Sequence, residues 1–218
     1  QIPAAQATGS AQCPLTDRSA PMSSNPLDRR SLRSRSAILG AMLALLGEQP
    51  FARLTVAQIC LRADVARPTF YLHFSGKEEA LLSFMDEVFE QFFAEIEPQL
   101  PQAELNTTAI CLQLFEQWHR HRQLLRALLD AGLESTMQQR FRHYGARLVG
   151  RYLSQRQLRV QEPALMPYLI DSIAATALAF LMRWLREDLT QSVVELAACY
   201  ESICRHGMLA MLDPNNPG

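Results

Sequence analysis

The sequence is poor in the features that mark enzymes, disulfide scaffolds and metal sites. Its five cysteines are odd in number and have no CxxC spacing: Cys13, Cys60, Cys111, Cys199 and Cys204. This pattern argues against disulfide and zinc scaffolds and favours a reducing cytoplasm, with a redox role for Cys60 or Cys111 left open. A glycine-rich phosphate loop and a serine nucleophile elbow are also lacking. We therefore expect no enzymatic activity, no cofactor and no metal.

Long apolar runs are scarce as well. The longest, Leu169 to Leu185, is short for a membrane span and contains Asp171 and Arg183. It is expected to be a buried helix, and the N-terminal region has no secretory hydrophobic segment. Because no stretch alternates polar and apolar residues for the length of a strand, the periodicity predicts an all-α protein. The cysteine pattern, the missing secretory segment and the short apolar run predict that it is cytoplasmic and has no membrane partner.

The chain has no net positive charge, but its basic residues are unevenly distributed. The net charge is -1 at pH 7, and Lys77 is the one lysine in the chain. Between Arg29 and Lys77, however, basic residues far outnumber the two acidic ones, Glu48 and Asp64, whereas acidic residues predominate afterwards. A basic segment beside an acidic body is typical of a domain that docks against phosphates.

The basic segment contains a helix-turn-helix pattern. Thr55 followed by Gln58 is a capping box, which predicts a helix that begins immediately after Thr55. Asp64 tolerates the left-handed conformation that a tight turn between helices needs. A second short helix, Arg67 to Leu72, has Pro68 in its first turn, where the missing N–H costs little. The second helix of such a unit reads the DNA major groove.

The run VARPTFYLHFSGKEEALL resembles the signature of the tetracycline-repressor (TetR) family of transcriptional regulators. The resemblance extends from about Arg33 to Leu82 and implies a three-helix DNA-binding head followed by a larger helical body, with about nine helices in total. It divides the chain into a head at residues 27–76 and an effector-binding and dimerisation domain at residues 77–218. Residues 1–26, rich in Ala, Gln, Ser and Pro, are expected to form a disordered leader, part of which can be foreign to the natural protein.

Periodicity and helix-breaking residues place the individual helices of this arrangement. The first runs from Leu27 to Leu46 and ends before Gly47 and Pro50. The long helix after the helix-turn-helix runs from Lys77 to about Ile96. Further helices are predicted near residues 105–121, 122–131, 135–158, 164–187 and 190–212.

The resemblance implies eight DNA-contacting residues. Arg67, Pro68 and Tyr71 are expected to meet base edges, because arginine pairs with guanine and the other two offer apolar contacts. The side chains expected near phosphates are Arg33, Thr55, Thr69, Tyr71, His73 and Lys77. Three of these roles have structural alternatives: Thr55 as a helix cap, Tyr71 as core and His73 as a structural residue. Ala66 lacks the usual hydroxyl cap of the recognition helix.

The resemblance also implies a homodimer formed through the last two helices and an unidentified small-molecule effector. Small residues that would allow close approach of helices are Ala174, Ala175, Ala177 and Ala179. The residues expected to line the effector pocket are Phe89, Phe115, Trp118, His119, Phe141, Tyr144, Asp171, Ile173 and Ala177. Ordinary core packing is the alternative for the apolar members of this set, and His119 and Asp171 are candidate orienting groups.

These observations favour a DNA-binding regulator, expected to be a repressor that an apolar or amphipathic effector releases from a pseudo-palindromic operator. The alternative is an effector-free DNA-binding or architectural protein whose body serves protein contacts.

Overall fold

The predicted all-α fold is confirmed. The structure is a computed structural model that describes residues 26–100, 107–157 and 163–212, and these ranges contain nine α-helices and no strand. The leader expected at residues 1–26 lies outside them except for Pro26. The helices are α1 (Pro26–Leu46), α2 (Val56–Ala63), α3 (Arg67–His73), α4 (Lys77–Ile96), α5 (Thr107–Arg120), α6 (Arg122–Asp130), α7 (Glu134–Arg156), α8 (Met166–Arg186) and α9 (Val193–Leu212). Short 3-10 turns lie at Phe51–Arg53, Glu97–Gln99 and Pro163–Leu165.

Local side-chain chemistry sets the boundaries of α2 as the sequence predicts. Thr55 Oγ1 accepts a hydrogen bond from the Gln58 N–H at 3.3 Å, and Gln58 Oε1 accepts one from the Thr55 N–H at 2.9 Å. These reciprocal bonds form the capping box. Asp64 ends the helix in the left-handed conformation, at φ 53° and ψ 48°. The chain can then turn within three residues and start α3 at Arg67.

A shared apolar core holds α1, α2 and α3 together. Ile38 and Met42 of α1, Ile59 of α2 and Phe70 of α3 are all fully buried, and Phe74 is nearly so. The rings of Phe70 and Phe74 lie 5.6 Å apart. Burying an aromatic side chain of this size stabilises the fold by about 1.5–3 kcal/mol. The core is therefore what anchors a seven-residue helix that would not be stable alone.

The long helix α4 links the head to the body. It contacts α1 on the head side and α5, α6 and α7 on the body side. Nine of its residues are buried, because it is covered on more than one face. The body beyond it is built mainly from two helix pairs, α5 against α9 and α7 against α8. A displacement of α4 would therefore change packing contacts in both the head and the body.

Helix α8 is only partly buried, and this corrects the expectation of a buried helix. Ala174, Ala177 and Leu181 face the interior, but Tyr168 is 71% exposed and Ala179 is exposed. Within the described ranges, one helical segment, Pro163–Arg186, is long and apolar enough to cross a membrane by length and composition, with mean hydropathy 1.7. Only 22% of the most apolar 18-residue stretch of this segment is buried. Two of the alanines expected at a dimer interface, Ala174 and Ala177, instead pack inside the chain.

Candidate DNA-binding surface and effector cavity

The recognition helix α3 has one buried and one exposed face. Phe70 is fully buried, whereas Arg67 and Pro68 are exposed and Tyr71 is 55% exposed. The Tyr71 ring meets the Phe70 ring edge-on at 5.5 Å, which fixes its direction without burying it. The alternative that Tyr71 belongs to the core is therefore wrong. The three side chains predicted to meet base edges share an accessible surface.

Ion pairs reduce the basic surface of the head. Arg62 binds Glu48 through two parallel hydrogen bonds of 2.8 and 2.9 Å, and Arg35 pairs with Glu87 of α4. Arg33 is exposed on α1. A bidentate arginine–carboxylate pair is neutral to a distant phosphate. Fewer cations can therefore attract DNA than the sequence count suggests.

Thr55 and His73 both have structural partners within the head. Thr55 is exposed and forms the cap of α2 described above. His73 Nε2 lies 2.7 Å from Ser34 Oγ, so the imidazole of α3 is hydrogen-bonded to α1. Thr69 is half-buried. The structural roles proposed for Thr55 and His73 are thus present, and phosphate contacts by Thr55, Thr69 and His73 stay predictions.

Lys77 has an internal role that the sequence does not indicate. Its Nζ donates hydrogen bonds to the carbonyl oxygens of Phe51 at 3.0 Å and Leu54 at 2.9 Å. It also lies 4.4 Å from the centre of the Phe51 ring, within cation–π distance. The ammonium therefore ties the start of α4 to the turn before α2. One of its three N–H groups is left for the predicted phosphate contact.

The N-terminus of α4 already has an internal anion. The Glu79 carboxylate accepts hydrogen bonds from both the N–H and the hydroxyl of Ser75, at 2.6 and 2.5 Å. These bonds lower the pKa of Glu79, and Glu78 adds a second acidic side chain in the same turn. A phosphate that approached this helix end would meet two carboxylates. The helix end is thus a weaker anion site than the sequence pattern suggests.

The body contains a cavity of about 100 Å³ enclosed by helices α4, α5, α7, α8 and α9. Of the nine residues predicted to line an effector pocket, Ile173 alone lies on its wall. Among the residues that the structure describes, the lining is Phe92, Leu100, Thr107, Ile110, Cys111, Leu114, Leu148, Val149, Tyr152, Ile173, Tyr200, Cys204 and Arg205. The wall is apolar over most of its surface, which suits an apolar or amphipathic molecule.

Four aromatic residues predicted to line the pocket pack against one another instead. Phe89 stacks on Tyr144 at 4.2 Å between ring centres and meets Trp118 at 5.4 Å and Phe141 at 5.0 Å edge-on. All four are at least 93% buried. Together they fill the space between α4, α5 and α7, so the core alternative accounts for them.

The remaining predicted lining residues also have other partners. Phe115 is fully buried against Tyr200, with 5.6 Å between ring centres, and Ala177 is buried. The His119 ring packs on Trp184 at 5.2 Å. Asp171 forms an ion pair with Arg142 of α7. None of these side chains is part of the cavity wall, and neither candidate orienting group is placed to touch a molecule inside it.

Sequence reasoning missed the polar end of the cavity. Thr107 donates a hydrogen bond to the buried carboxylate of Glu201, and Arg205 Nε donates to the same carboxylate oxygen at 2.7 Å. These residues lie almost 100 positions apart on α5 and α9. The i,i+4 spacing of Glu201 and Arg205 was a usable signal for a helical ion pair, but nothing local placed that pair at a cavity.

Burial keeps the cysteines of this region in the protonated form. It raises the pKa of Cys111 to about 12, with Cys204 and Glu201 contributing, and it also raises the pKa of Cys204. Outside the cavity, burial raises the pKa of Cys60. Because the thiolate is the reactive form, these environments disfavour rapid oxidation.

A row of ion pairs joins α4 to α7 outside the aromatic cluster. One of the arginines in this row, Arg147, pairs with Glu90 and in addition places its guanidinium carbon 4.3 Å from the centre of the Phe93 ring. Burial and the neighbouring carboxylates of Asp86 and Glu90 raise the pKa of Tyr144, which donates to Asp86, to about 12. Two pairs start from α4, Asp86 with Arg140 and Glu90 with Arg147, and a third, Glu97 with Arg151, starts from the 3-10 turn that follows α4.

Comparison with known proteins gives the family. Residues 38–83 match the family described as bacterial regulatory proteins, tetR family. The HTH-type transcriptional regulator EthR of Mycobacterium tuberculosis is 35% identical over 82 residues, covering 35% of this chain and 38% of EthR. YxbF of Bacillus subtilis, an uncharacterized HTH-type transcriptional regulator, is 41% identical over 56 residues, covering 25% of this chain and 15% of that protein. The matched segment is therefore a DNA-binding segment of the TetR-family type.

Solved structures extend the TetR-family fold to the body. A tetR-family regulator from Streptomyces coelicolor superposes with a TM-score of 0.61 at 20% identity, covering 83% of this chain and 82% of that one. The SmeT–triclosan complex gives 0.56 at 20% identity, covering 85% and 95%. At these identities the likeness shows the fold alone. The matched relatives align over well under half of their own length, and the family model covers most of the head and the first residues of α4.

Proposed function

We propose that this TetR-family chain is a homodimeric, cytoplasmic transcriptional repressor that binds a pseudo-palindromic DNA operator and is released by a small apolar or amphipathic effector. The observation that carries the proposal is the two-faced helix α3. Its buried Phe70 anchors it to the head, and this leaves Arg67, Pro68 and Tyr71 exposed on the opposite side. A short helix held in this way is suited to enter a major groove.

In the proposed complex, Arg67 reads a guanine through its O6 and N7 atoms, and Pro68 and Tyr71 provide apolar contacts such as that with a thymine methyl. Arg33, Thr55, Thr69, Tyr71, His73 and Lys77 hold phosphates and fix the register of the helix on the duplex. The internal bonds of His73 and Lys77 support this arrangement, because they position both side chains before DNA arrives.

Dimerisation is proposed to use the outer faces of α8 and α9. Tyr168 and Ala179 of α8 are exposed, as are Val194 and Ile203 of α9, which are 64% and 50% exposed. An apolar helix with so little of its surface covered needs a partner in water. A second copy of the chain would bury this face by two-fold symmetry and present two recognition helices to successive major grooves.

Release by an effector is proposed to be a population shift. The cavity wall includes Phe92 of α4, the helix that reaches the head, and Tyr200 of α9, one of the proposed dimer helices. Tyr200 also donates a hydrogen bond to the Ile173 carbonyl of α8 at 3.1 Å. An effector that binds an enlarged form of the cavity more tightly would favour a different position of α4, in which the two heads no longer match the operator.

A second candidate function is supported by the size of the cavity. Its volume of about 100 Å³ is smaller than the roughly 300–1,000 Å³ of typical ligand sites. The chain could thus bind DNA constitutively and use its body for protein contacts. Thermal-shift measurements with small apolar compounds separate the two candidates: if no compound stabilises a DNA-binding protein, the effector-free function is favoured.

The proposed function is tested by selecting bound duplexes from a random DNA library. We expect the wild type to enrich two half-sites related by two-fold symmetry. Arg67→Ala should relax the preference at one position per half-site, at a cost of about 1–3 kcal/mol. Arg122→Ala, which removes an exposed arginine from the body, is the charge-matched control and should select the wild-type sequence. Failure to enrich any sequence at low salt would contradict the proposal.

A further inference from the structure

The cavity has one charged end in an otherwise apolar wall. Among the described residues that line it, Arg205 is the one that carries a charge. It lies on α9, and its side chain is half exposed, so the guanidinium lies at the boundary between the cavity and solvent. An arginine in this position provides fixed hydrogen-bond donors for a molecule that enters the cavity.

The guanidinium is held in place from behind. Its Nε donates to Glu201 Oε1 at 2.7 Å, and one Nη nitrogen lies 3.4 Å from Thr107 Oγ1. Thr107 donates to the same Glu201 oxygen, and the Glu201 side chain is only 10% exposed. These contacts use Nε and one Nη nitrogen. Within the described part of the chain, the structure gives the other Nη nitrogen of Arg205 no hydrogen bond.

We propose that the effector is an anionic amphiphile with a short apolar body and one carboxylate, which pairs with the N–H groups of Arg205 that do not face Glu201 and Thr107. This assignment rests on the proposed function, since it names the class of molecule that the same cavity takes. Planar guanidinium groups bind carboxylates with two parallel bonds, and such charge-assisted bonds are stronger than neutral ones. A cationic ligand would instead meet Arg205 directly, because the balancing carboxylate of Glu201 lies behind it.

The cavity volume limits the apolar part of this molecule. A buried water needs about 10–15 Å³ of such space, so about 100 Å³ accommodates a chain of several carbons or a single ring. The apolar walls formed by Phe92, Ile110 and Leu148 would cover that part. A straight-chain carboxylate of medium length and a one-ring carboxylate are therefore the appropriate probes.

The experiment is calorimetric titration of the protein with two matched pairs: octanoate with octanamide, and phenylacetate with phenylacetamide. Each amide keeps the shape and removes the charge. We expect at least one carboxylate to bind about tenfold or more tightly than its amide. Arg205→Gln should remove that preference, so that each carboxylate binds with an affinity similar to that of its amide.

Arg205→Gln leaves the buried Glu201 without its cation and can destabilise the fold. The double variant Arg205→Gln/Glu201→Gln removes both charges and is the second test, with the same expected loss of preference. The assignment is overturned if neither carboxylate binds, if the amides bind as tightly as the carboxylates, or if the preference survives in the double variant.

Failure of this assignment can be told apart from failure of the proposed function. Sequence-selective DNA binding without binding of either carboxylate would refute the anionic effector and leave the DNA-binding proposal standing. Carboxylate binding that depends on Arg205 in a protein that ignores duplex DNA would refute the proposed function and leave the ligand assignment standing.

Discussion

The head and the body of this chain present their candidate functional side chains in opposite ways. In the head, Arg67 and Tyr71 lie on an exposed surface, and the residues that position them are a few places away in the sequence. In the body, the cavity wall faces inward, and it combines residues such as Cys111 and Cys204 from helices that are far apart in the sequence. The head site is thus set by local structure, whereas the cavity depends on how five helices pack.

Helix α4 is where the two arrangements meet. At its first residue, Lys77 is bonded to carbonyl groups of the head, and near its end Phe92 lies on the cavity wall. Between them, Asp86 and Glu90 pair with arginines of α7. One rigid helix therefore has three kinds of attachment, and each can be weakened separately to find which matters to which region.

The largest effect on stability is expected from truncating a buried aromatic side chain in the head or in the body. Phe70→Ala in the head and Trp118→Ala in the body should each lower the free energy of unfolding by about 3–5 kcal/mol, because both side chains are fully buried. Chemical denaturation followed by circular dichroism at a fixed protein concentration measures this. Leu72→Ala, at a side chain that is 83% exposed, is the control and should change stability by no more than about 0.5 kcal/mol. A loss below about 1 kcal/mol at Trp118 would show that the aromatic cluster is poorly packed.

The next effect concerns Lys77 and separates its two roles. Lys77→Ala leaves the carbonyls of Phe51 and Leu54 without their donor, and we expect a loss of about 1–3 kcal/mol of stability. If Lys77 also binds phosphate, the variant should weaken all DNA sequences equally and make the salt dependence shallower by about one charge per subunit. Titrations at several salt concentrations measure that slope. An unchanged slope together with lower stability would leave Lys77 a purely structural residue.

A smaller effect is expected from the ion pairs between α4 and α7. Arg147→Gln removes the pair with Glu90 and the contact with the Phe93 ring. The pair is partly exposed and screened, so its loss should cost only about 0.2–1 kcal/mol and less at high salt. A double-mutant cycle with Glu90→Gln isolates the pair from the ring contact. A coupling energy that does not change with salt would mean that the two charges do not interact as described.

The sequence predicted the head better than the cavity because its signals are local. Thr55 with Gln58 and the turn at Asp64 act within a few residues, so their geometry follows from their spacing. The bond between Ser34 and His73 spans 39 positions, and that from Lys77 to Phe51 spans 26. No local pattern predicts such contacts. They depend on how α1 and α4 pack against the helix-turn-helix.

The cavity could not be predicted because core and pocket use the same residue types. Phe89 and Phe92 both lie on the apolar face of α4, yet the first is stacked on Tyr144 and the second borders the cavity. Helical periodicity identifies that face but cannot tell which ring has a neighbour. Likewise, the alternation of buried Ala177 and exposed Ala179 along α8 is set by its contact with α7.

The smallest effect is expected from His121, which lies at the start of α6 against the Phe84 ring at 5.6 Å. Burial, and secondarily the neighbouring Arg120, lowers the pKa of His121. The unfolded chain, in which histidine titrates near about 6.5, then takes up the proton first, so stability falls as the pH drops below that value and is unaffected above it. His121→Gln should flatten this dependence in denaturation curves between about pH 7 and pH 5. If the free energy of unfolding changed equally with pH in the wild type and in His121→Gln, the His121 ring would be protonated as easily in the folded protein as in the unfolded chain.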